Sequence, residues 1–273
     1  MSRIQDILAK ADRDGLTRRG AMSSPVQPLA PIEGTAALDT ADFTPAPAPS
    51  MAAPAAVVET RTAIATLHPA LIAAINPHSA AAEQYRSIRT RMAHREGHAT
   101  LRTVMITSPA AGDGKSITAV NLALTMAQEL QRSVVLVDTD LRGPSAHALL
   151  GLASTPGLAE VLAGDATLDE ALVYLPDLRL TLLPGGGVPQ FPTELLGSNA
   201  MRRTIDALRT RFDRLVLDAP AVAPLADTGT VAPLADGIVM VVRAGVTQRP
   251  TLEQALAAFE KDQVVGIVLN EAH

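Results

Sequence analysis

The most informative segment of the chain reads Thr107-Ser108-Pro109-Ala110-Ala111-Gly112-Asp113-Gly114-Lys115-Ser116. An apolar run, Val104-Met105-Ile106, precedes it, and residues 117–130 follow it with helical periodicity. A strand, a glycine-containing loop, Gly-Lys-Ser and a helix come in the order that a phosphate-binding loop requires. Its glycines let backbone N–H groups turn inward to hold phosphate oxygens, together with the positive end of the helix. We therefore expect Lys115 to reach the β- and γ-phosphates of a nucleotide and Ser116 to bind Mg²⁺.

The spacing of this loop departs from the usual pattern at one position. The pattern G-x-x-x-x-G-K-[ST] requires glycine at position 109, where this chain has Pro109. A glycine turn between an ordinary strand and helix would also account for the segment. Two acidic strands further along the chain favour the phosphate-binding interpretation.

These two strands are apolar runs that end in aspartates. One reads Val134-Val135-Leu136-Val137-Asp138-Thr139-Asp140 and the other Leu215-Val216-Leu217-Asp218. Such runs are typical of buried parallel strands, and open α/β sheets bind ligands at the C-terminal ends of their strands. Asp138 and Asp140 are therefore placed to meet Mg²⁺ or a proton, while Asp218 has the form of a Walker B aspartate that organises Mg²⁺. Helix capping in a βα turn is the alternative, and it explains one aspartate better than two.

Strand and helix patterns alternate along the rest of the folded region. This alternation predicts an α/β fold of the P-loop NTPase type, with a mostly parallel, doubly wound sheet and helices on both faces. Further strands are predicted at residues 178–183, 237–242 and 264–269, and helices at residues 79–95, 145–150, 158–162, 168–173, 199–212 and 251–259.

The composition changes sharply along the chain and predicts three regions. Residues 1–20 have the apolar spacing of a short amphipathic helix, which needs a surface to bury its stripe. Residues 21–66 are rich in Ala and Pro, and we expect a linker without fixed structure. Residues 67–273 form the predicted P-loop domain.

Composition also excludes several classes of function. With 273 residues and 47% hydrophobic residues, the chain can bury one substantial core, while a net charge of −5 argues against nucleic-acid binding. The absence of cysteine excludes thiol chemistry, and no apolar run approaches the ~20 residues of a membrane span. No secretory signal opens the sequence, so we expect a cytoplasmic protein. His94 and His98 have zinc-binding spacing but no third ligand, which favours a frayed helix end.

The helix predicted at residues 79–95 carries Glu83, Arg86 and Arg89. Steps of three residues spread these charges over an arc of about 120° on one side of the helix. A solvated face with intrahelical ion pairs explains this pattern, and so does a contact between subunits. The sequence leaves both interpretations open.

Three motifs taken together resemble the bacterial tyrosine kinases (BY-kinases) of capsule and exopolysaccharide synthesis. The loop at residues 111–116 is similar to the Walker A motif of that family, residues 136–142 with Pro144 to its distinctive Walker A′ motif, and residues 217–220 to its Walker B motif. Residues 83–89 resemble the ring-forming E-x-x-R-x-x-R helix. Segments at residues 192–197 and 266–270 also resemble the family, and the resemblance covers about residues 67–270.

The resemblance implies an ATP- and Mg²⁺-dependent enzyme that transfers the γ-phosphate to tyrosine. It implies that Lys115 holds phosphates, that Asp138 accepts the hydroxyl proton, and that Ser116, Asp140 and Asp218 organise the metal. It places the nucleotide contacts at Gly112, Asp113, Gly114, Lys115, Ser116, Ile117 and Asn270.

The same resemblance implies assembly and localisation. A homo-oligomeric ring would form through Glu83, Arg86 and Arg89. A membrane chain-length regulator, acting as the activator in polysaccharide export, would complete the site and hold this cytoplasmic chain at the inner membrane.

The chain departs from the family pattern in two places. Ala221 stands where the Walker B motif usually has a second proline, and the sequence ends at Asn270-Glu271-Ala272-His273 without a tyrosine cluster. Tyr85 lies in a predicted helix and Tyr174 in a predicted short connection, so we expect the main phosphate acceptor on a partner.

Two other functions fit the same fold. One is a regulatory ATPase of the partition or septum-placement type, which requires a lysine five residues before Lys115, where this chain has Ala110. The other is a nucleotide-binding scaffold with little catalysis.

Overall fold

The computed structural model describes residues 58–59, 66–95, 101–129, 132–223 and 227–271. The predicted N-terminal helix, most of the predicted linker and His98 lie outside these residues. Among the helices that the structure describes, none combines the length and the apolar character needed to cross a membrane.

The described strands form one sheet. They are β1 (Val58–Glu59), β2 (Thr103–Thr107), β3 (Val134–Asp138), β4 (Val173–Leu175), β5 (Leu180–Leu183), β6 (Arg214–Asp218), β7 (Gly237–Arg243) and β8 (Val264–Asn270). Their order across the sheet is β1-β4-β5-β3-β6-β2-β7-β8. All neighbours pair in parallel except β4 and β5, which are antiparallel.

The α-helices of the described residues connect these strands. They are α1 (Ile72–Ile75), α2 (Ala80–Arg95), α3 (Lys115–Ala127), α4 (Ala146–Leu149), α5 (Leu158–Ala163), α6 (Leu168–Ala171), α7 (Pro192–Leu196), α8 (Asn199–Arg211), α9 (Asp227–Val231) and α10 (Arg249–Leu256).

Apolar clusters cover both faces of the sheet because side chains of a strand alternate between its faces. Val104 and Ile106 of β2 pack in one cluster with Leu122 of α3. Met105 of the same strand packs in the other cluster with Leu208 of α8. The central strands β2, β3 and β6 are buried along their whole length, as expected for a parallel sheet between two helical layers. The predicted fold class is confirmed.

The structure differs from the sequence-based expectation at the far edge of the sheet. The helix predicted over residues 168–173 ends at Ala171, and Val173 begins strand β4. The antiparallel pairing with β5 explains the change, since Tyr174 lies opposite Thr181 and a tight connection joins the two strands. Within the segment expected to be a linker, residues 58–59 form strand β1 beside β4.

Arg209 of helix α8 contacts other parts of the fold. Arg209 donates hydrogen bonds to Thr103 Oγ1 (3.0 Å) and to the carbonyl oxygen of Leu234 (2.7 Å). This arginine therefore ties α8 to the sheet rather than facing solvent alone.

Candidate nucleotide-binding site

The strand order brings three loops together. They are the glycine-containing loop after β2 and the two aspartate-containing loops after β3 and β6. β3, β6 and β2 are neighbours, and their parallel pairing puts all three C-terminal ends at one edge of the sheet. In the register of these strands, Asp218 lies beside Asp138 on one side and beside Ile106, just before the glycine loop, on the other. The sequence predicted each loop but not that Asp218 would lie between the other two.

Two glycines give the loop after β2 its shape. Gly112 has φ 88° and Gly114 has φ 93°, which is left-handed backbone that favours glycine. Helix α3 begins at the next residue, Lys115, so its unpaired backbone N–H groups face the loop. This geometry is an anion-binding helix N-terminus.

Asp113 shapes the loop instead of facing a ligand. Its side chain is buried, with Oδ2 accepting from the Ala110 N–H (3.0 Å) and Oδ1 accepting from Thr247 Oγ1 (2.8 Å). Asn270 Nδ2 donates to the Asp113 carbonyl oxygen (3.1 Å). A Cβ on Gly114 would lie 2.1 Å from that amide nitrogen, so the end of β8 closes tightly over the loop.

A cavity of about 600 Å³ opens above the loop. Its lining includes Gly112, Gly114, Lys115, Ser116 and Ile117 together with Asp140, so six of the expected site residues meet on one surface. Arg142 and Gly143 also line it. Four other expected site residues do not line it: Asp113, Asp138, Asp218 and Asn270.

Lys115 and Asp140 form an ion pair across the cavity wall. Lys115 Nζ lies 2.7 Å from Asp140 Oδ2, and each side chain is only 13% exposed. Burial alone would lower the pKa of Lys115, but the neighbouring Asp218, Asp140 and Asp138 raise it above its ordinary value. The lysine is therefore charged, as a phosphate ligand must be.

Asp138 is fully buried, and its carboxylate accepts hydrogen bonds from the backbone around it. Oδ1 accepts from the Asp140 N–H (3.2 Å), while Oδ2 accepts from the N–H groups of Ser145 (2.8 Å) and Ala146 (3.0 Å) at the start of α4. Burial, with the nearby charge of Asp218, raises the pKa of Asp138 to about 7, although the three N–H groups oppose the rise. The helix-capping alternative thus holds for Asp138, whereas Asp140 faces the cavity.

Asp218 fits a magnesium site. Both carboxylate oxygens are buried and neither accepts a hydrogen bond of normal geometry, although the Ser116 hydroxyl is near enough to lower its pKa. Burial outweighs Lys115 and Ser116 and raises the pKa of Asp218 to about 6. A buried carboxylate without a donor is costly, and a divalent cation bound nearby would remove that cost.

No cluster of three or more His, Asp or Glu side chains with metal-binding geometry occurs in the described part of the chain. Magnesium typically keeps several waters and takes only one or two protein carboxylates together with substrate phosphates. Ser116, Asp140 and Asp218 therefore suit Mg²⁺ that arrives with a nucleotide.

Three charged residues of α2 find partners within their own chain: Glu83, Arg86 and Arg89. Arg86 pairs with Glu83 (2.6 Å) and also donates to the Pro77 carbonyl oxygen. Arg89 Nη1 donates to the Thr125 carbonyl oxygen (2.7 Å), and Nε lies 3.0 Å from Glu129. Arg89 thereby caps the last turn of α3, the helix that follows the phosphate-binding loop.

Comparisons with known proteins show what the chain as a whole is similar to. A family model described as ParA, NUBPL iron-transfer P-loop NTPase, matches residues 100–164. The chain is similar to the tyrosine-protein kinase YwqD of Bacillus subtilis (strain 168), with 34% identity over 202 residues, which are 73% of this chain and 85% of that protein. The crystal structure of the chimerical protein CapA2B2 matches with a TM-score of 0.72 and 26% identity, covering 80% of this chain and 94% of that chain.

A second relative is much longer than this chain. The succinoglycan biosynthesis transport protein ExoP of Rhizobium meliloti (strain 1021) is 33% identical over 200 residues, which are 71% of this chain but 25% of ExoP. The matched part of this chain is thus about a quarter of that relative.

Proposed function

Because the chain belongs to the bacterial tyrosine kinases (BY-kinases) of capsule and exopolysaccharide synthesis, we propose that it is an ATP- and Mg²⁺-dependent protein tyrosine kinase that regulates exopolysaccharide polymerisation and export. The observation that carries the proposal is the cavity where charged Lys115 and Asp140 meet above the unpaired carboxylate of Asp218. Phosphoryl transfer requires positioning and charge neutralisation, and both are provided there.

The proposed reaction moves one phosphoryl group and one proton. The tyrosine oxygen attacks the γ-phosphorus, the bond to the β–γ bridging oxygen breaks, and its electron pair leaves with ADP. Lys115 and the N–H groups of the loop hold the phosphates in place. Ser116, Asp140 and Asp218 would hold Mg²⁺, which would supply positive charge to neutralise the phosphates.

The hydroxyl proton passes to a carboxylate, and Asp138 is the proposed base. A pKa of about 7 suits a base that works near neutral pH. Its oxygens already accept three backbone N–H groups, so the Walker A′ loop must shift for an acceptor hydroxyl to reach it. Asp140, which lines the cavity, is the competing base.

We place the main phosphate acceptor on a partner because both tyrosines of this sequence lie in secondary structure. Tyr85 lies in α2, where burial raises its pKa and Thr118 and Asn121 of α3 surround its hydroxyl. Tyr174 was expected in a connection but lies within β4, paired with Thr181 of β5.

The proposals for assembly and localisation rest on the resemblance to the family. We propose a homo-oligomeric ring through Glu83, Arg86 and Arg89, and association with the inner membrane through a membrane chain-length regulator. In such a ring, Arg89 would link a neighbouring subunit to the end of α3, since it already contacts Thr125 there. Residues 1–20 remain a proposed amphipathic helix. Residues 21–66 remain a proposed linker before the kinase domain, apart from residues 58–59, which form β1.

The test is phosphorylation with γ-labelled ATP and Mg²⁺, with and without the cytoplasmic segment of the membrane partner, followed by mapping of the labelled residues. We expect phosphotyrosine mainly on the partner. A Tyr85→Phe/Tyr174→Phe variant is the matched control. Abundant phosphotyrosine on the isolated chain that disappears in this variant would contradict the placement of the acceptor, and label on no tyrosine would contradict the proposed activity.

A further inference from the structure

Arg142 is held in the cavity wall by residues far away in the sequence. Its Nε donates to Asp227 Oδ2 (2.6 Å) and its Nη2 donates to Asp227 Oδ1 (3.2 Å), a two-point contact that fixes the plane of the guanidinium. Nη2 also donates to Thr193 Oγ1 (3.1 Å), and the Thr193 hydroxyl in turn donates to Asp227 Oδ1. The Walker A′ loop, α7 and α9 therefore meet at one guanidinium.

The two partners in this contact differ sharply in exposure. The Asp227 side chain is 1% exposed, whereas the Arg142 side chain is 43% exposed. Burial alone would raise the pKa of Asp227, but donation from Arg142 and Thr193 lowers it below its ordinary value. Asp227 is therefore a fixed anion, and it anchors one side of an arginine whose other side meets solvent. A mobile surface ion pair would lack this geometry.

Arg142 is a lining residue of the nucleotide cavity. Lys115 and Asp140 line the same cavity. Among the described residues, none accepts a hydrogen bond from Nη1. A planar guanidinium with a free N–H edge is well suited to bind phosphate oxygens.

We propose that Asp227 and Thr193 are positioning residues, which hold Arg142 so that its Nη1 edge binds the phosphoryl group during transfer to the acceptor. This proposal rests on the proposed kinase function, because it assigns a further cation to the same cavity. Lys115 holds the phosphates from the loop side, and Arg142 neutralises the charge that develops as the phosphoryl group leaves ADP for the tyrosine oxygen. An interaction made mainly in the transition state raises the rate without tightening ATP binding.

The experiment compares Arg142→Ala, Asp227→Asn, Thr193→Val and the double variant Arg142→Ala/Asp227→Asn in the full chain. Two quantities are measured: the Kd for Mg·ATP and the single-turnover rate of phosphotransfer to the partner segment. Loss of one preorganised donor typically lowers the rate about 100-fold, and we expect that for Arg142→Ala with a change in Kd below about threefold. Asp227→Asn should lose rate with a similarly small change in Kd, and the double variant should be no slower than Arg142→Ala alone.

Three controls separate positioning from a general loss of structure. Guanidinium ion added to the solution should restore part of the rate to Arg142→Ala and none to Lys115→Met. Arg249→Ala, which removes an arginine 87% exposed in α10, should leave rate and Kd unchanged. Thr193→Val keeps the Asp227 anion, so it tests positioning even if Asp227→Asn unfolds, and it should slow transfer less than Arg142→Ala.

Two results of the phosphotransfer assay would overturn the proposal. One is an increase in the Kd for ATP that matches the loss of rate, which would mean ground-state binding. The other is fully additive losses in the double variant. If the wild-type chain phosphorylates no tyrosine, the proposed function fails, and the rate of ATP hydrolysis is then the quantity compared among the same variants. Unchanged hydrolysis in Arg142→Ala would overturn the present proposal as well.

Discussion

The raised pKa of Asp138 predicts that the protein loses stability as the pH rises toward 8. The pKa is about 7 in the folded chain against an ordinary value of 3.8. A carboxyl whose pKa is raised by folding binds its proton more tightly in the folded state, so it favours folding at low pH. This contribution is lost as the pH rises through about 7. Between pH 5 and pH 8 the loss for this group amounts to about 3 kcal/mol of unfolding free energy.

The assay is urea denaturation at both pH values in the presence of a chelator. Asp138→Asn should flatten the pH dependence by about 3 kcal/mol relative to wild type. The variant also has a lower stability at pH 5, because its amide NH₂ group must face backbone N–H donors. In Asp218→Asn, the replaced carboxylate accepts no hydrogen bond of normal geometry, and this variant should flatten part of the dependence by removing the charge beside Asp138.

The exposed Asp262→Asn serves as the matched control and should change nothing. His147 has a lowered pKa from burial and opposes the trend, but it is common to all variants and cancels in the comparison. Mg·ADP should restore stability at pH 8 if the metal binds the ionised carboxylates. An equal pH dependence in wild type and Asp138→Asn would refute the reasoning.

The remaining predictions concern binding, the two acids and assembly. Lys115→Met should raise the Kd for Mg·ATP beyond the range of calorimetry, and its melting curve should remain cooperative. Undiminished ATP affinity in a folded variant would contradict the role of this lysine. Asp138→Asn should bind ATP but lose phosphotransfer, whereas Asp140→Asn should require more Mg²⁺ for half-maximal rate. Full activity in both variants would mean that these aspartates have only structural roles, in helix capping and ion pairing. Replacing Arg86 and Arg89 by alanine should shift sedimentation toward the monomer, and an unchanged mass distribution would favour the solvated-face interpretation. Arg89→Ala alone should also lower the melting temperature, because it removes the contact to Thr125 in α3.

The sequence by itself determined the fold class and the chemistry of the cavity. The apolar, largely β-branched run at residues 134–137 predicts a buried strand, because its pattern leaves no polar face for water. The phosphate-binding loop requires only local features, namely the glycines at 112 and 114 and the following Lys-Ser. It could therefore be predicted without the rest of the chain. Helix α6 was predicted two residues too long, because a short apolar run does not distinguish a helix end from an edge strand.

Only the tertiary structure decided how the side chains of the site divide their roles. Asp138 and Asp140 are equivalent in sequence, yet one is buried against the start of α4 and the other faces the cavity with Lys115. Asp227, which no sequence motif marked, reaches Arg142 across 85 residues, and Asn270 reaches the phosphate-binding loop across 157. Such contacts depend on strand order and register. These are set by the packing of the whole sheet rather than by any local pattern, so a single sequence indicates the reactive groups but not which of them meet.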